Sequence, residues 1–227
     1  MEMYGEEWAA RFEEYANASI AGREGLFRLA EASLADLPDD ARILVVGCGT
    51  GSEVLALASR HAGWRFEAVE PAQGMVAVCR QRLNRAEMSH RVTLHQRSVE
   101  ELRIEPCHAA TAILVSQHII DDSGASRFFS EIAMNLIDGA VLFSADITLP
   151  DETSSTDAML RTWRRQAVTA GLPEDAPASL IARFGKELVP RTPVGVERLL
   201  SSAGFRAPLQ VFQSTIYRAW ISHLGLS

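Results

Sequence analysis

The sequence predicts an α/β protein built on a doubly wound, mostly parallel sheet with helices on both faces. From residue 42 onward, apolar runs typical of buried strands alternate with amphipathic helical patterns. The first of these runs ends in the glycine-rich turn "GCGTG" and opens directly into a helix. Because 47% of the 227 residues are hydrophobic, the chain can bury a sizeable core. The alternation implies βαβ units joined by right-handed crossovers.

The elements follow in order from the hydrophobic pattern. Continuous apolar runs predict buried strands, and apolar residues three to four positions apart predict helices. Two helices, at 7–17 and 24–37, precede the first strand, "RILVVG". Beyond the glycine turn, helices are predicted at 52–62, 72–86, 124–136 and 193–203, and strands at 64–69, 91–96, 109–116 and 140–146.

The last third of the chain does not continue this alternation of strands and helices. Residues 151–188 carry helical patterns and no convincing strand, so we expect a helical insertion between sheet elements. The helix at 193–203 has Thr192 as its predicted N-cap and Gly204 just past its end. Two β-like runs, "PLQVFQST" and "IYRAWISHL", then predict a terminal antiparallel hairpin at the edge of the sheet.

Composition and charge narrow the class of function. A net charge of −7 argues against a nucleic-acid partner and favours a small-molecule substrate. No apolar run is long enough to span a membrane, and the acidic, amphipathic start is unlike a secretory signal. Three scattered cysteines predict free thiols in a reducing cytoplasm, and the histidines lack metal-ligand spacing, so no metal site is expected.

The glycine turn and an acidic residue predict a nucleoside-containing ligand. A strand that opens into a helix presents unpaired N–H groups, and glycines there let a ligand approach the backbone. Glu70 ends the next predicted strand, where a carboxylate can accept hydrogen bonds from both hydroxyls of a ribose. The alternative is a tight turn without a ligand, next to a solvated strand-end charge.

The glycine spacing separates two kinds of cofactor. The dinucleotide fingerprint G-x-G-x-x-G needs glycine at position 52, where this chain has Ser52. "VVGCGTG" instead resembles the G-x-G-x-G of class I S-adenosylmethionine-dependent methyltransferases. "FEAVEPAQGMVAVCRQRL", "VTLHQRSVEEL", "AATAILVSQHIIDD", "IAMNLIDGAVLFSAD" and "VERLLSSAGF" are similar to later motifs of that family, in the family's order. The resemblance covers roughly residues 40–227.

The resemblance implies a Rossmann-like, seven-stranded sheet with an antiparallel last strand and a helical cap. It implies S-adenosylmethionine as the cofactor, with S-adenosylhomocysteine as the product of an SN2 methyl transfer. The chain would divide into N-terminal lid helices plus the cofactor-binding core (1–150), a helical cap (151–188) and a C-terminal helix with hairpin (189–227). The positions that match the family's cofactor site are Gly47, Cys48, Gly49, Thr50, Gly51, Glu70, Pro71, Met75, Ser98, Val99, Glu100 and Ser116.

One departure concerns the methionine end of the cofactor. The family often has Asp or Glu two residues before the first glycine, and this chain has Val45 there. That carboxylate helps to anchor the cofactor, so the residues that hold this end are left open by the sequence.

Other residues are candidates for the acceptor side. Gln117 and His118 follow the fourth core strand and are candidate catalytic groups, since a histidine there could act as a general base. Tyr15, Arg23 and Trp163 are candidate substrate contacts from the N-terminal helices and the insertion. For His118, Tyr15 and Trp163 simple packing is the alternative, and a free amine or anionic acceptor would need no base at all.

The sequence therefore predicts a cytoplasmic methyltransferase, a monomer or homodimer, that acts on a small molecule. The alternatives are a tRNA-modifying methyltransferase of the same fold, a non-catalytic protein that binds the cofactor, and a nicotinamide-dependent oxidoreductase. Arg161, Arg164 and Arg165 would favour the RNA alternative if they formed a phosphate-binding patch instead of a solvated helix face.

Overall fold

Seven strands form one sheet in the computed structural model, which describes residues 5–225. The strands are β1 (Arg42–Val46), β2 (Arg65–Val69), β3 (Val92–His95), β4 (Cys107–Ile113), β5 (Leu136–Ile147), β6 (Phe205–Ser214) and β7 (Tyr217–Leu224). The sheet order is β3-β2-β1-β4-β5-β7-β6, and β7 runs antiparallel to both of its neighbours while the pairs among β1 to β5 are parallel. This confirms the predicted seven-stranded sheet with an antiparallel last strand.

Helices cover both faces of the sheet because the central strands are apolar on both sides. The helices are α1 (Glu6–Ser19), α2 (Arg23–Ser33), α3 (Ser52–Arg60), α4 (Gln73–Arg85), α5 (Asp122–Met134), α6 (Thr153–Thr169), α7 (Ala176–Ile181) and α8 (Pro193–Ser202). Leu44 and Val46 of β1 are packed in one cluster with helices α5 and α8, while Ile43 and Val45 are packed on the other face with α3 and α4. At α8, the Thr192 hydroxyl accepts a hydrogen bond from the Gly195 N–H, so the predicted N-cap is confirmed.

Some element boundaries differ from the prediction. The strand predicted at 109–116 ends at Ile113, because Leu114 adopts a left-handed backbone (φ 61°) and residues 116–118 form a 3₁₀ turn. Conversely, β5 begins at Leu136, four residues before the predicted start, across a register shift opposite β4. Because β4 ends early, the residues that follow Ile113 are not part of the sheet and lie at its carboxyl edge.

The segment between β5 and α8 is helical, and it packs against the start of the chain. Trp163 and Ala167 of α6 share a buried cluster with Ala18 and Ile20, from the end of α1 and the residue after it, and with Tyr217. Residues 1–4 and 226–227, which belong to the predicted segments 1–150 and 189–227, lie outside the described residues. No helix within residues 5–225 is long and apolar enough to cross a membrane.

Candidate active site

A cavity of about 360 Å³ lies at the carboxyl ends of β1, β2, β4 and β5. This edge is where open α/β sheets bind ligands, at the point where the strand order reverses. Here β1 is the first strand, with β2 on one side and β4 on the other. Helix α1, the first half of α2 and the segment around α7 line the opposite wall of the cavity. The site is therefore built from parts of the chain that are far apart in sequence.

The glycine turn connects β1 to α3 and is fixed by backbone hydrogen bonds. The N–H groups of Gly47 and Cys48 both donate to the carbonyl of Val69, at 2.8 and 3.0 Å. A Cβ added to Gly49 would meet no atom within 4 Å, so this residue leaves open space beside the backbone. A Cβ on Gly47 would lie 2.4 Å from the Val115 side chain. Gly49 is therefore the glycine at which a ligand gains room.

Gly51 is required for a different reason. It has a left-handed backbone (φ 84°) at the start of α3, and an added Cβ would lie 2.7 Å from Cys79 Sγ. Gly51 does not line the cavity. Gly47 and Gly49 thus line the cavity, whereas Gly51 makes room for helix α4.

Glu70 stands at the end of β2 and faces the glycine turn. Its Oε2 accepts from the Gly49 N–H at 3.1 Å, and its Oε1 accepts from the Ala72 N–H at 2.9 Å. The residue is 9% exposed, and burial raises the pKa of its carboxyl group although both N–H groups counteract the shift. A carboxylate has about four acceptor positions, so lone pairs are left for a ligand. The structure thus brings together the two features that the sequence predicted as partners.

The other predicted cofactor residues divide into two groups. Cys48, Thr50, Pro71 and Met75 line the cavity, whereas Ser98, Val99, Glu100 and Ser116 do not. Val99 is buried against α5 in the core. Ser116 Oγ donates to the buried Asp146 Oδ1 at 2.6 Å. We therefore assign Val99 to packing and Ser116 to the support of its loop.

Glu53 is a cavity residue that sequence analysis missed. It lies in the first turn of α3 and is only 6% exposed, and its Oε1 has no hydrogen-bond partner among residues 5–225. Burial raises the pKa of its carboxyl group to about 7, although the nearby Thr111 hydroxyl and the Arg23 charge counteract the shift. The available signal was an acidic residue beside Val54 and Leu57, the buried positions of the same helix.

Helix α1 is joined to the glycine turn by an ionic cluster around Glu13. This carboxylate accepts from Arg23 Nη1 at 2.9 Å and from the Thr50 hydroxyl, and it lies 3.2 Å from Arg82 Nη1. Burial alone would raise the pKa of Glu13, but hydrogen bonds from Arg23, Ser52 and Thr50 outweigh it and lower the pKa to about 2. Arg23, a predicted substrate contact, lines the cavity and is held by Glu13.

Gln117 and His118 lie in the 3₁₀ turn after β4 and line the cavity. The Gln117 amide donates to the Leu114 carbonyl at 2.9 Å, and its Oε1 has no hydrogen-bond partner within the described part of the chain. His118 has an exposed surface, yet the surrounding protein atoms desolvate its ring and lower its pKa to about 4, with a further contribution from the charge of Arg183. At neutral pH the imidazole is therefore uncharged.

The loop that carries these two residues is held by Arg191. Its guanidinium donates to the carbonyls of Ser116 (3.1 Å) and Ile119 (2.9 Å). The Val189 N–H also donates to the Gln117 carbonyl at 2.7 Å. Buried carbonyls are thereby satisfied where β4 has ended, which fixes the loop without regular secondary structure.

The two aromatic substrate candidates have different surroundings. Tyr15 lines the cavity, with its ring 5.1 Å from that of Trp8. Trp163 is fully buried outside the cavity, and its Nε1 donates to the Ser19 carbonyl at 3.0 Å. Trp163 therefore anchors α6 to the end of α1 and, unlike Tyr15, does not line the cavity.

Comparison with known proteins agrees with this geometry. Residues 43–139 match the family model of a methyltransferase domain. This range contains the glycine turn, Glu70 and the loop with Gln117. No curated protein matches the sequence.

Solved structures share the fold at low identity. A possible exported protein from Bordetella parapertussis is 17% identical and aligns with a TM-score of 0.68 over 91% of this chain and 69% of its own. Human N-acetylserotonin methyltransferase in complex with S-adenosylmethionine is 18% identical, with a TM-score of 0.62 over 88% of this chain and 52% of its own. An O-methyltransferase family 2 protein from Planctomyces limnophilus in complex with apigenin is 15% identical, with a TM-score of 0.62 over 89% and 62%. The chain thus spans between about half and two thirds of the length of these structures.

Proposed function

We propose that the protein transfers a methyl group from S-adenosylmethionine to a small-molecule acceptor, since residues 43–139 match the family model of a methyltransferase domain. The observation that carries the proposal is the pair formed by Gly49 and Glu70. It joins an open stretch of backbone to a carboxylate with free acceptor positions at one side of a cavity.

The residues on this side of the cavity fit the cofactor. Glu70 would accept hydrogen bonds from the ribose, and the open space beside Gly49 would admit the ligand next to the backbone. Met75 and Pro71 provide apolar surface for the adenine. When bound, S-adenosylmethionine supplies a methyl group on a positively charged sulfur, which is open to attack by a nucleophile.

Two charged residues fit the amino-acid end of the cofactor, where Val45 leaves the usual carboxylate missing. Glu53 offers a buried carboxyl oxygen without a hydrogen-bond partner in residues 5–225, and it lies within electrostatic range of Arg23. Both line the cavity. We propose that Glu53 faces the ammonium group and Arg23 the carboxylate, since a zwitterion is best matched by one charge of each sign.

On the acceptor side, we propose that Gln117 and His118 handle the nucleophile. The unpaired Gln117 Oε1 can accept a hydrogen bond from an acceptor hydroxyl and so orient it. The uncharged His118 can take up the proton, but with a pKa of about 4 it is a weak base and suits an acceptor whose proton is already acidic. The apolar walls exclude water from the reacting groups.

The segment 151–188 would complete the acceptor pocket as a cap. Leu180, Arg183 and Leu188 line the cavity, which supports this division of the chain. Arg161, Arg164 and Arg165 lie exposed on α6 and outside the cavity lining, so no observation favours RNA as the acceptor.

Isothermal titration calorimetry with S-adenosylhomocysteine and with NADH tests the proposal. We expect S-adenosylhomocysteine to bind and NADH not to bind, and binding of NADH alone would overturn the proposed function. Gly49→Val should abolish binding of S-adenosylhomocysteine, because its side chain fills the space beside the turn. Methyl transfer from labelled donor to a panel of small hydroxyl, carboxyl and amine compounds then tests turnover.

A further inference from the structure

The β4–β5 side of the cavity contains a cation that the mechanism does not use. Arg183 follows α7 and lines the cavity, and its Nε donates to Glu187 Oε2 at 2.8 Å. Its Nη2 is buried and has no hydrogen-bond partner among residues 5–225. Leaving a buried charged donor unsatisfied is costly, because the group loses its hydration and gains nothing in return.

Glu187 pairs with a different nitrogen of the guanidinium and leaves Nη2 without a partner among residues 5–225. The Glu187 side chain is 54% exposed and pairs with the Nε edge of the guanidinium. Arg183 lies close enough to Tyr15 and His118 to influence the electrostatics of both. The guanidinium therefore lies in the cavity lining near the proposed base.

The walls around this nitrogen are apolar and aromatic. Trp8, Phe12 and Tyr15 of α1 form one wall, and the ring centroids of Trp8 and Phe12 lie 6.4 Å apart. Leu180 and Leu188 line the cavity on either side of Arg183 in sequence. Such walls bind a flat apolar body, and within them one charged donor selects for an anionic group.

We propose that Arg183 determines acceptor specificity by binding the carboxylate of a flat, apolar, aromatic acid. The inference rests on the proposed function, because it names the class of acceptor for the same site. A guanidinium is the side chain best suited to a carboxylate, and a charge-assisted bond in an apolar cavity is stronger than in water. Neutral aromatic compounds of the same shape would make the same contacts with the apolar walls but would leave Nη2 unpaired.

A matched pair of probes tests this inference. 2-Naphthoate and 2-naphthamide have the same shape and differ in charge, and calorimetry measures their binding with and without saturating S-adenosylhomocysteine. We expect the wild-type protein to bind naphthoate about tenfold more tightly than naphthamide. Arg183→Gln should abolish this preference and leave the affinity for naphthamide unchanged, while Arg183→Lys should retain part of it.

The control variant is Arg161→Gln, which removes an exposed arginine of α6 and should leave the affinity of both probes unchanged. Equal affinity of the wild-type protein for the two probes, or an equal loss of both in Arg183→Gln, would overturn the inference. The same holds if neither probe binds. Binding of S-adenosylhomocysteine to the wild-type protein is scored separately, so failure of the proposed function is distinguished from failure of the acceptor class.

Discussion

Glu70 is bonded to the glycine turn and also faces the cavity, so its substitution tests whether it binds the cofactor. It accepts hydrogen bonds from Gly49 and Ala72, so it fixes the glycine turn as well as facing the cavity. We expect Glu70→Ala to weaken binding of S-adenosylhomocysteine by about 1–3 kcal/mol, because the ribose hydroxyls would lose their acceptor. Calorimetry measures the loss, with the exposed Glu101→Ala as the control. Unchanged affinity in Glu70→Ala would remove this residue from the site.

Glu53 gives a prediction about stability and pH. Its folded pKa is about 7 against an ordinary 4.5, so the folded state holds the proton more tightly and loses stability as the pH rises from about 4.5 to 7. Glu53→Gln removes this penalty, and we expect the variant to be more stable than the wild type by about 1–3 kcal/mol at pH 8 without ligand. Below pH 4.5 the difference should disappear.

Chemical denaturation at pH 8 and below pH 4.5 measures the difference in stability between Glu53→Gln and the wild type. Calorimetry on the same variant measures its affinity for S-adenosylhomocysteine. We expect Glu53→Gln to bind S-adenosylhomocysteine more weakly than the wild type, because the ammonium group would lose a charged partner. A variant that is no more stable at pH 8 and binds equally well would contradict both expectations.

Single residues were predictable where the local pattern alone determines them. Gly49 and Glu70 follow from a strand–turn–helix pattern and from the edge at which parallel strands end. The steric roles of Gly47 and Gly51 could not be predicted, because Val115 and Cys79 meet them only after the chain has folded. The role of Glu53 was equally hidden, since burial of one carboxylate in a first helical turn depends on the neighbouring helices.

The carboxylate of Glu13 connects helix α1 to the glycine turn. We expect Glu13→Gln to loosen α1, because the ionic partners Arg23 and Arg82 would lose their common acceptor. Amide hydrogen exchange of residues 6–19 should become faster in this variant. Glu14→Gln, an exposed neighbour on the same helix, is the control and should leave exchange unchanged. Equal exchange in the two variants would show that the Glu13 cluster does not stabilise α1.

The same cluster predicts a response to acid. The folded pKa of Glu13 is about 2 against an ordinary 4.5, so its contribution is fully present above pH 4.5 and is lost as the pH falls towards 2. We expect the protection of α1 from exchange to decrease over that range in the wild type and to vary less with pH in Glu13→Gln. A wild-type helix that stays equally protected at pH 3 would contradict this assignment.

The order and type of the helices and strands followed from hydrophobic periodicity, whereas their ends followed from tertiary contacts. Beyond the early end of strand β4, the buried Arg191 satisfies the carbonyls of Ser116 and Ile119 outside the sheet. Arg191 comes from a segment 72 residues further along the chain than Ile119, so no local pattern could reveal it. The candidate catalytic residues could therefore be predicted from their place after the fourth strand, whereas the arginine that supports their loop could not.

The cavity is walled by segments from the start, the middle and the last third of the chain, so a ligand in it connects all of them. We expect saturation with S-adenosylhomocysteine to stabilise the folded protein, by about 2.7 kcal/mol at a hundredfold excess over the dissociation constant. Because α1 and α7 line the same cavity, their amide exchange should slow together with that of the glycine turn. Thermal unfolding and hydrogen exchange measure the two effects, with Gly49→Val as a control that should show neither. Protection confined to the glycine turn would mean that the ligand does not reach the helices that cover it.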